Sequence, residues 1–225
     1  SNFRGWPLDE AISGDTIHLD KFQATAELID DGGGLSSFIP VTITYNESTK
    51  KYDASYGPKI AGLYQLNVTL PKGENDEHIF GSPFLVTTKP GPSFAPESIA
   101  FGGYGNGMAG HKSTFTIQAF DVNRNMRDTG GDDWKVVVSS SLTSDDYHVG
   151  SVNDHGNGTY TVEVTPHISG PNDLTITLDG SLLKGSPFRM DVVHGPVVGT
   201  SSFVMGEHFS MTAMEENMII IQAAD

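Results

Sequence analysis

The chain contains an internal repeat whose spacing is close to the size of a whole domain. The motif Gly-Ser-Pro-Phe occurs at 81–84 and again at 185–188, 104 residues later. The same offset relates two further motifs: Gly-Pro at 91–92 and 195–196, and Ile-Gln-Ala at 117–119 and 221–223. Because this period exceeds the roughly 20–50 residues typical of solenoid repeats, each copy is predicted to be a complete domain.

Earlier in each copy the offset is 108 residues instead of 104. The matching residues are Tyr52, Pro58 and Gly62 in the first copy and Tyr160, Pro166 and Gly170 in the second. A longer loop in the first copy, at 72–78, accounts for the difference. Several ordered matches separated by one loop-sized length change indicate the duplication of a domain of about 100 residues.

Within each copy, apolar residues alternate with polar ones. Tyr160, Val162 and Val164 alternate with polar neighbours, and 174–178 has the same pattern. This period of two is typical of strands with one buried face, and Gly- and Asn-rich turns separate the segments. No window shows a sustained helical period. The sequence therefore predicts an all-β protein with very little helix, built from tandem immunoglobulin-like β-sandwiches of about seven strands each.

The second copy contains six motifs in a fixed order. They are Gly-Asn-Gly-Met-Ala-Gly at 105–110, Phe-Thr-Ile-Gln-Ala-Phe-Asp at 115–121, Gly-Gly-Asp at 130–132, Val-Asn-Asp-His-Gly-Asn-Gly-Thr-Tyr at 152–160, Thr-Pro-His-Ile-Ser-Gly at 165–170 and Gly-Ser-Pro-Phe at 185–188. This ordered set resembles a filamin-type immunoglobulin repeat (the filamin/ABP280 repeat family). In such repeats the strands are named A to G in chain order.

The resemblance divides the chain into three parts. Residues 91–195 correspond to a complete repeat, whereas 1–90 match only strands C to G, near 21–29, 37–45, 51–56, 63–70 and 80–87. Residues 196–225 match only strands A and B. Because a repeat without two strands leaves apolar faces and sheet edges uncovered, 196–225 is predicted to complete the 1–90 module, within the chain or swapped between copies. The alternative is that neighbouring segments of a longer array pair with both ends.

Composition excludes several kinds of function. The formal net charge of −15 argues against nucleic-acid binding, which requires a basic surface. No apolar stretch is long enough for membrane insertion, and the absence of cysteine excludes thiolate metal sites and cysteine nucleophiles. No catalytic or metal-ligand spacing occurs, so we expect a protein that is not an enzyme and has no cofactor. Paired acidic or amide residues at 132–133, 145–146 and 153–154 suit turns better than a calcium site.

The resemblance implies a binding site for an extended peptide in the groove between strands C and D, where the peptide would add a β-strand. The candidate residues are Trp134, Val136 and Val138 on strand C, and Tyr147 and Val149 on strand D. The alternative is that these apolar side chains belong to the core of the sandwich. Acidic residues at 145–146 favour a neutral or basic peptide over an acidic one.

Two classes of function follow. The first is a cytoplasmic, cytoskeletal or axoneme-like scaffold and spacer whose partners are neighbouring repeats or an extended peptide. Filamin-like proteins bind actin through a separate domain, so the resemblance does not imply direct actin binding here. The second class is an extracellular adhesion module, for which the sequons at Asn46, Asn67 and Asn157 would be glycosylation sites. Asn67 is expected to face solvent because Leu66 and Val68 alternate with it.

Overall fold

The computed structural model describes residues 21–29, 38–72, 75–142, 147–205 and 219–224. The chain divides into two compact units, Ser1–Lys89 and Pro90–Asp225. Over the described residues the fold is all-β, as the alternation predicts, and the helical content is one short 3-10 turn at Ala95–Glu97. In the same residues, no helix has the length and apolar character needed to cross a membrane.

The first unit has one sheet built around a long central strand. In chain order its strands are β1 (Gln23–Ile29), β2 (Phe38–Pro40), β3 (Thr42–Asn46), β4 (Lys51–Ser55), β5 (Gly62–Lys72), β6 (Asn75–His78) and β7 (Phe84–Thr88). β5 pairs with β1 along one side and with β6 and β7 along the other, and β2 pairs with the outer side of β1. β3 and β4 form a separate antiparallel hairpin.

The second unit is a sandwich of two sheets followed by a hairpin. Its strands are β8 (Ile99–Gly102), β9 (Asn106–Met108), β10 (Ser113–Gln118), β11 (Trp134–Ser140), β12 (Tyr147–Val149), β13 (Ser151–Asp154), β14 (Thr159–Val164), β15 (Gly170–Leu178), β16 (Ser181–Leu182), β17 (Phe188–Val193), β18 (Phe203–Met205) and β19 (Ile220–Gln222). One sheet has the order β13-β14-β10-β8 and the other β12-β11-β15-β17-β9, with β16 beside β15. β18 pairs only with β19 among the described strands.

The core of the second unit lies between its two sheets. Alternate residues of each strand point inward, which is the arrangement that the period-two pattern predicts. One face contributes side chains such as Ile117, Tyr160 and Val162, and the other contributes Val136 and Ile176. All five are fully buried. The remaining buried positions of the cluster surround them and include Trp134, whose ring meets that of Tyr160 edge-on.

The prediction of single D strands, at 147–152 and at 37–45, differs from the structure. In the second unit this segment is two strands, β12 and β13, which belong to opposite sheets. Gly150 lies between them, and a Cβ atom there would lie 2.7 Å from Cγ1 of Val164. In the first unit the described residues of the segment form β2 and β3, which also belong to different sheets; residue 37 lies outside the described residues.

The insertion predicted as a loop at 72–78 contains part of a hairpin. β6 pairs with the end of β5, so that Thr69 opposes His78. Lys72 and Glu77 form an exposed ion pair of 3.0 Å across this hairpin. The residues of β6 are all polar, so the sequence shows no apolar alternation that would predict a strand. The strand forms because its backbone pairs with β5.

The two Gly-Ser-Pro-Phe motifs adopt the same local structure. Oγ of Ser82 accepts a hydrogen bond of 2.9 Å from the N–H of Val68, and Oγ of Ser186 accepts one of 2.8 Å from the N–H of Ile176. Both Ser–Pro peptide bonds are cis. Gly81 and Gly185 have φ values of 86° and 85°. The repeat seen in the sequence is thus a repeat of backbone geometry.

Candidate functional site

The larger sheet of the second unit ends in a short edge strand, β12. Among the described strands β12 pairs only with β11, with Val149 opposite Val137 and Tyr147 opposite Ser139. The N–H of Gly150 donates a hydrogen bond of 2.9 Å to the carbonyl of Val136. Because backbone groups point to opposite sides at successive residues of a strand, the N–H and C=O groups of Tyr147 and Val149 face away from β11. Within the described residues they form the free edge of this sheet.

The five residues predicted to line the groove lie in two different environments. The side chains of Trp134, Val136 and Val138 are buried in the core of the sandwich. Tyr147 and Val149 are 65% and 72% exposed. The side chains exposed at the edge that a partner strand could reach are therefore those of Tyr147 and Val149. The side chains of Trp134, Val136 and Val138 pack in the core.

The first unit has an edge strand in the same register. β2 pairs with β1 so that Pro40 opposes Thr25 and Phe38 opposes Glu27. Phe38 takes the place of Tyr147 and is 67% exposed. Pro40 takes the place of Val149, and proline has no N–H to donate to a partner strand. The two edges are alike in exposed aromatic surface and differ in one backbone donor.

Two histidine side chains, one of them on β12, lie close together. Because side chains alternate along a strand, His148 points to the face opposite to that of Tyr147 and Val149. The rings of His148 and His167 have centroids 3.8 Å apart. Next to them, Nζ of Lys112 lies 2.8 Å from Oε2 of Glu163. The sequence gave no signal for this cluster, because His148 lies in β12 and His167 in the loop before β15.

The acidic residues considered for calcium make turn contacts. Oδ2 of Asp132 accepts hydrogen bonds of 2.6 Å from the hydroxyls of Ser93 and Tyr160. Asp154 accepts from the N–H groups of Gly131 and Gly156, each at 2.7 Å. Within the ranges that the structure describes, no three histidine or acidic side chains are placed to hold a metal ion. The acidic pair at 145–146 lies outside those ranges.

Asp132 also affects the ionisation of Tyr160. Burial raises the pKa of the Tyr160 hydroxyl, and the hydrogen bond to the Asp132 carboxylate raises it further. The hydroxyl therefore remains a neutral donor through the physiological range. The hydrogen bond between Tyr160 and Asp132 connects the start of β14 to the loop before β11. It thereby helps to position β11, the strand that pairs with β12.

The three sequon asparagines differ in their surroundings. Oδ1 of Asn46 accepts hydrogen bonds from the N–H groups of Ser48 and Thr49 in the turn between β3 and β4. Asn67 is half-buried on β5, where solvent exposure was expected. Asn157 is exposed in the turn before β14, and its Oδ1 accepts from the N–H and hydroxyl of Thr159.

Residues 92–189 match the family profile of the Filamin/ABP280 repeat. Over these residues the chain is similar to a filamin repeat. The matched residues include strands of both sheets of the sandwich and the β12 edge. This agrees with the resemblance carried by the sequence motifs and with the immunoglobulin-like fold.

The chain is also similar in sequence to parts of longer proteins. A 105-residue stretch, 46% of the chain, is 35% identical to the E3 ubiquitin-protein ligase TRIM71 of Rattus norvegicus and covers 12% of that protein. Over 191 residues, 80% of the chain, identity to rat Filamin-C is 25%, covering 6% of Filamin-C. The chain thus spans only a small part of the length of these relatives.

The chain is also similar to solved structures. The Lin-41 filamin domain is 23% identical, and the match covers 46% of this chain and 98% of that domain with a TM-score of 0.38. The Escherichia coli adhesin FdeC is 18% identical, with coverages of 83% and 58% and a TM-score of 0.51. At this level of identity the likeness to FdeC concerns the fold alone.

Proposed function

We propose that the chain is a non-enzymatic scaffold and spacer module that binds an extended peptide at the free edge of β12. The observation that carries this proposal is the outward direction of the backbone groups of Tyr147 and Val149. A peptide strand laid along β12 would pair with these groups, as in other cases of β-strand addition.

The side chains at this edge supply a second contact. Tyr147 and Val149 are two residues apart, so they lie on the same face of the sheet and are both exposed. Alternate apolar side chains of a bound peptide would pack against them. The net charge of −15 attracts a basic peptide at long range and repels an acidic one.

The first unit has the role of a spacer in this proposal. Pro40 removes the backbone donor that Val149 provides in the second unit. An exposed aromatic side chain such as Phe38 makes no backbone hydrogen bonds, so it cannot by itself orient a peptide strand. One peptide per chain is therefore expected, bound to the second unit.

Peptide selection on the whole chain tests this function. Phage-displayed peptides selected against the chain should show alternating apolar residues and a neutral or basic charge. Val149→Pro removes the N–H and should weaken binding of a selected peptide at least tenfold, whereas Val149→Ala keeps the N–H and should weaken it only a few-fold. Equal binding to the wild-type and Val149→Pro chains would refute the proposal.

We place this scaffold inside the cell, in a cytoskeletal or axoneme-like assembly, and direct actin binding is not part of its role. An extracellular adhesion module is the second candidate, favoured by the exposed sequon at Asn157. Intact-mass measurement of the protein from its native source separates the two. Glycan mass on Asn157, or on Asn46 or Asn67, would assign the chain to the cell surface.

A further inference from the structure

Two histidine side chains from distant segments of the chain are in contact in the second unit. The rings of His148 and His167 have centroids 3.8 Å apart, and their planes are tilted by 37°. A neutral imidazole carries a lone pair on one ring nitrogen, and histidine is the commonest metal ligand in proteins. The peptide edge described above uses the backbone of Tyr147 and Val149, so it gives this side-chain contact no role.

The loop that carries His167 is fixed on both sides of this residue. The carbonyl of Pro166, which is fully buried, accepts a hydrogen bond of 2.9 Å from the N–H of Gly110. The carbonyl of Ile168 accepts one of 3.0 Å from Nδ2 of Asn172, which is buried as well. The backbone that carries the imidazole is therefore held in place before any ligand binds, and this reduces the conformational cost of binding.

His148 is held by strand pairing, because it opposes Val138 in the register of β12 and β11. Beside the two rings lies a cavity of about 300 Å³, whose lining also includes Ser151, Glu163 and Thr165. A water molecule takes up about 30 Å³ in the liquid. The cavity therefore has room for an ion together with several water ligands.

The charges around the histidines do not oppose a cation. Lys112 and Glu163 both line the cavity, and Nζ of Lys112 lies 2.8 Å from Oε2 of Glu163. This ion pair is neutral as a whole, and it holds a carboxylate beside the two rings. The formal net charge of −15 attracts cations to the chain at long range. The electrostatics therefore favour a positive ligand over a negative one.

We propose that His148 and His167 together bind one divalent ion of the zinc, nickel and copper class, through one ring nitrogen each. Two nitrogen ligands about 2.0–2.1 Å from a tetrahedral ion are roughly 3.4 Å apart. This is close to the 3.8 Å between the ring centroids, so we expect a small rotation of the side chains to bring both nitrogens onto one ion.

Two protein ligands define this site, so it differs from the groups of three or more that are missing from the described residues. Water completes the coordination shell on the side of the cavity, where the carboxylate of Glu163 accepts a hydrogen bond from a water ligand. Magnesium and calcium prefer oxygen ligands and are not expected to bind here.

The ion would join β12 to the loop before β15. Among the described strands β12 is attached only to β11, through the three pairs of its register. A short strand at the edge of a sheet opens at low cost in free energy. Because an ion shared by His148 and His167 must dissociate from one of them before β12 can open, metal binding is expected to slow this opening.

Calorimetric titration of the whole chain with zinc chloride tests the site. His148→Ala and His167→Ala should each weaken zinc binding at least tenfold, and the double variant should bind no more weakly than either single variant. His155→Ala is the control, because this exposed histidine contacts Thr161 instead. Neither His148 nor His167 is buried, so the variants are expected to fold, and thermal unfolding without zinc checks this.

Electron paramagnetic resonance with one equivalent of copper(II) measures the number of nitrogen ligands. The wild type should show two, and His148→Ala or His167→Ala should show one. With zinc, amide exchange measured by NMR should slow at least fivefold at His148 in the wild type. It should stay unchanged in His167→Ala, which leaves the sequence of β12 intact.

Two outcomes would overturn the proposal. One is equal zinc affinity in the wild type, His148→Ala and His167→Ala, which would mean that scattered histidines alone bind the ion. The other is a copper spectrum of the wild type with a single nitrogen ligand.

Discussion

The hydroxyl of Tyr160 lies 2.6 Å from Oδ2 of Asp132, and that same oxygen accepts the hydroxyl of Ser93. Tyr160 is fully buried between the sheets. This contact joins three separate segments of the second unit, and we expect it to contribute to the response of that unit's stability to alkaline pH.

Tyr160→Phe keeps the ring and removes the hydroxyl. We expect a loss of about 1–2 kcal/mol in the free energy of unfolding, because one hydrogen bond to a carboxylate is lost. The raised pKa of Tyr160 means that its contribution is fully present below about pH 10, the unfolded pKa, and is lost as the pH rises towards the folded pKa. Urea unfolding between pH 8 and 11 should show a shallower alkaline decline for the variant. Tyr147→Phe, which alters an exposed hydroxyl, should match the wild type.

Asp121 is expected to affect how the stability of the second unit changes at acid pH. Burial alone would raise the pKa of this carboxyl, but hydrogen bonds from Asn125, Gly91 and Asn123 outweigh burial and lower it. Its contribution is present above about pH 4 and is lost as the pH falls through the lowered folded pKa. Asp121→Asn should cost about 1–3 kcal/mol near neutral pH and should flatten the acid limb of stability measured by urea unfolding. An unchanged acid limb would contradict this role; exposed Asp128→Asn is the control.

Substituting two glycines of one turn distinguishes the cost of backbone strain from the cost of a steric clash. Gly156 and Gly158 both have positive φ, 73° and 82°. A Cβ at Gly158 would overlap the carbonyl oxygen of Arg127, whereas one at Gly156 meets nothing within 4 Å. Gly156→Ala should cost about 1–2 kcal/mol from conformation alone, and Gly158→Ala should cost several kcal/mol more or prevent folding. Thermal unfolding that ranks the two equally would show that the Arg127 loop moves aside.

Pro40→Val tests the difference between the two edges. The variant restores the N–H that Val149 supplies in the second unit, on an edge strand that already carries the exposed Phe38. We expect a second peptide site, so that isothermal titration with a selected peptide changes from one site per chain to two. Pro40→Ala, which restores the N–H with a smaller side chain, should also add the site. A stoichiometry that stays at one for both variants would contradict the role given to the backbone donor.

Much of the fold follows from the sequence because burial on one face imposes a strict alternation. Ile117, Tyr160 and Val162 show that pattern and form the core, and the offsets of 104 and 108 coincide with repeated hydrogen bonds at Ser82 and Ser186. Apolar alternation alone does not distinguish a core strand from a binding edge. Trp134, Val136 and Val138 therefore could not be separated from Tyr147 and Val149 without the structure.

Other features depend on single residues that carry little pattern. Gly150 divides one predicted strand between two sheets, and the identity of the free edge depends on that division. The contact between the rings of His148 and His167 arises from tertiary pairing between distant segments. No periodicity in the sequence records either feature.

The central claim is that the backbone of β12 binds the partner strand. Amide hydrogen exchange, resolved residue by residue by NMR on the whole chain, measures this directly with and without a saturating selected peptide. The account predicts at least tenfold slower exchange at the N–H groups of Tyr147 and Val149 and little change at His148, whose N–H faces β11. Unchanged exchange at Tyr147 and Val149, with protection appearing on β9 or β13 instead, would contradict it.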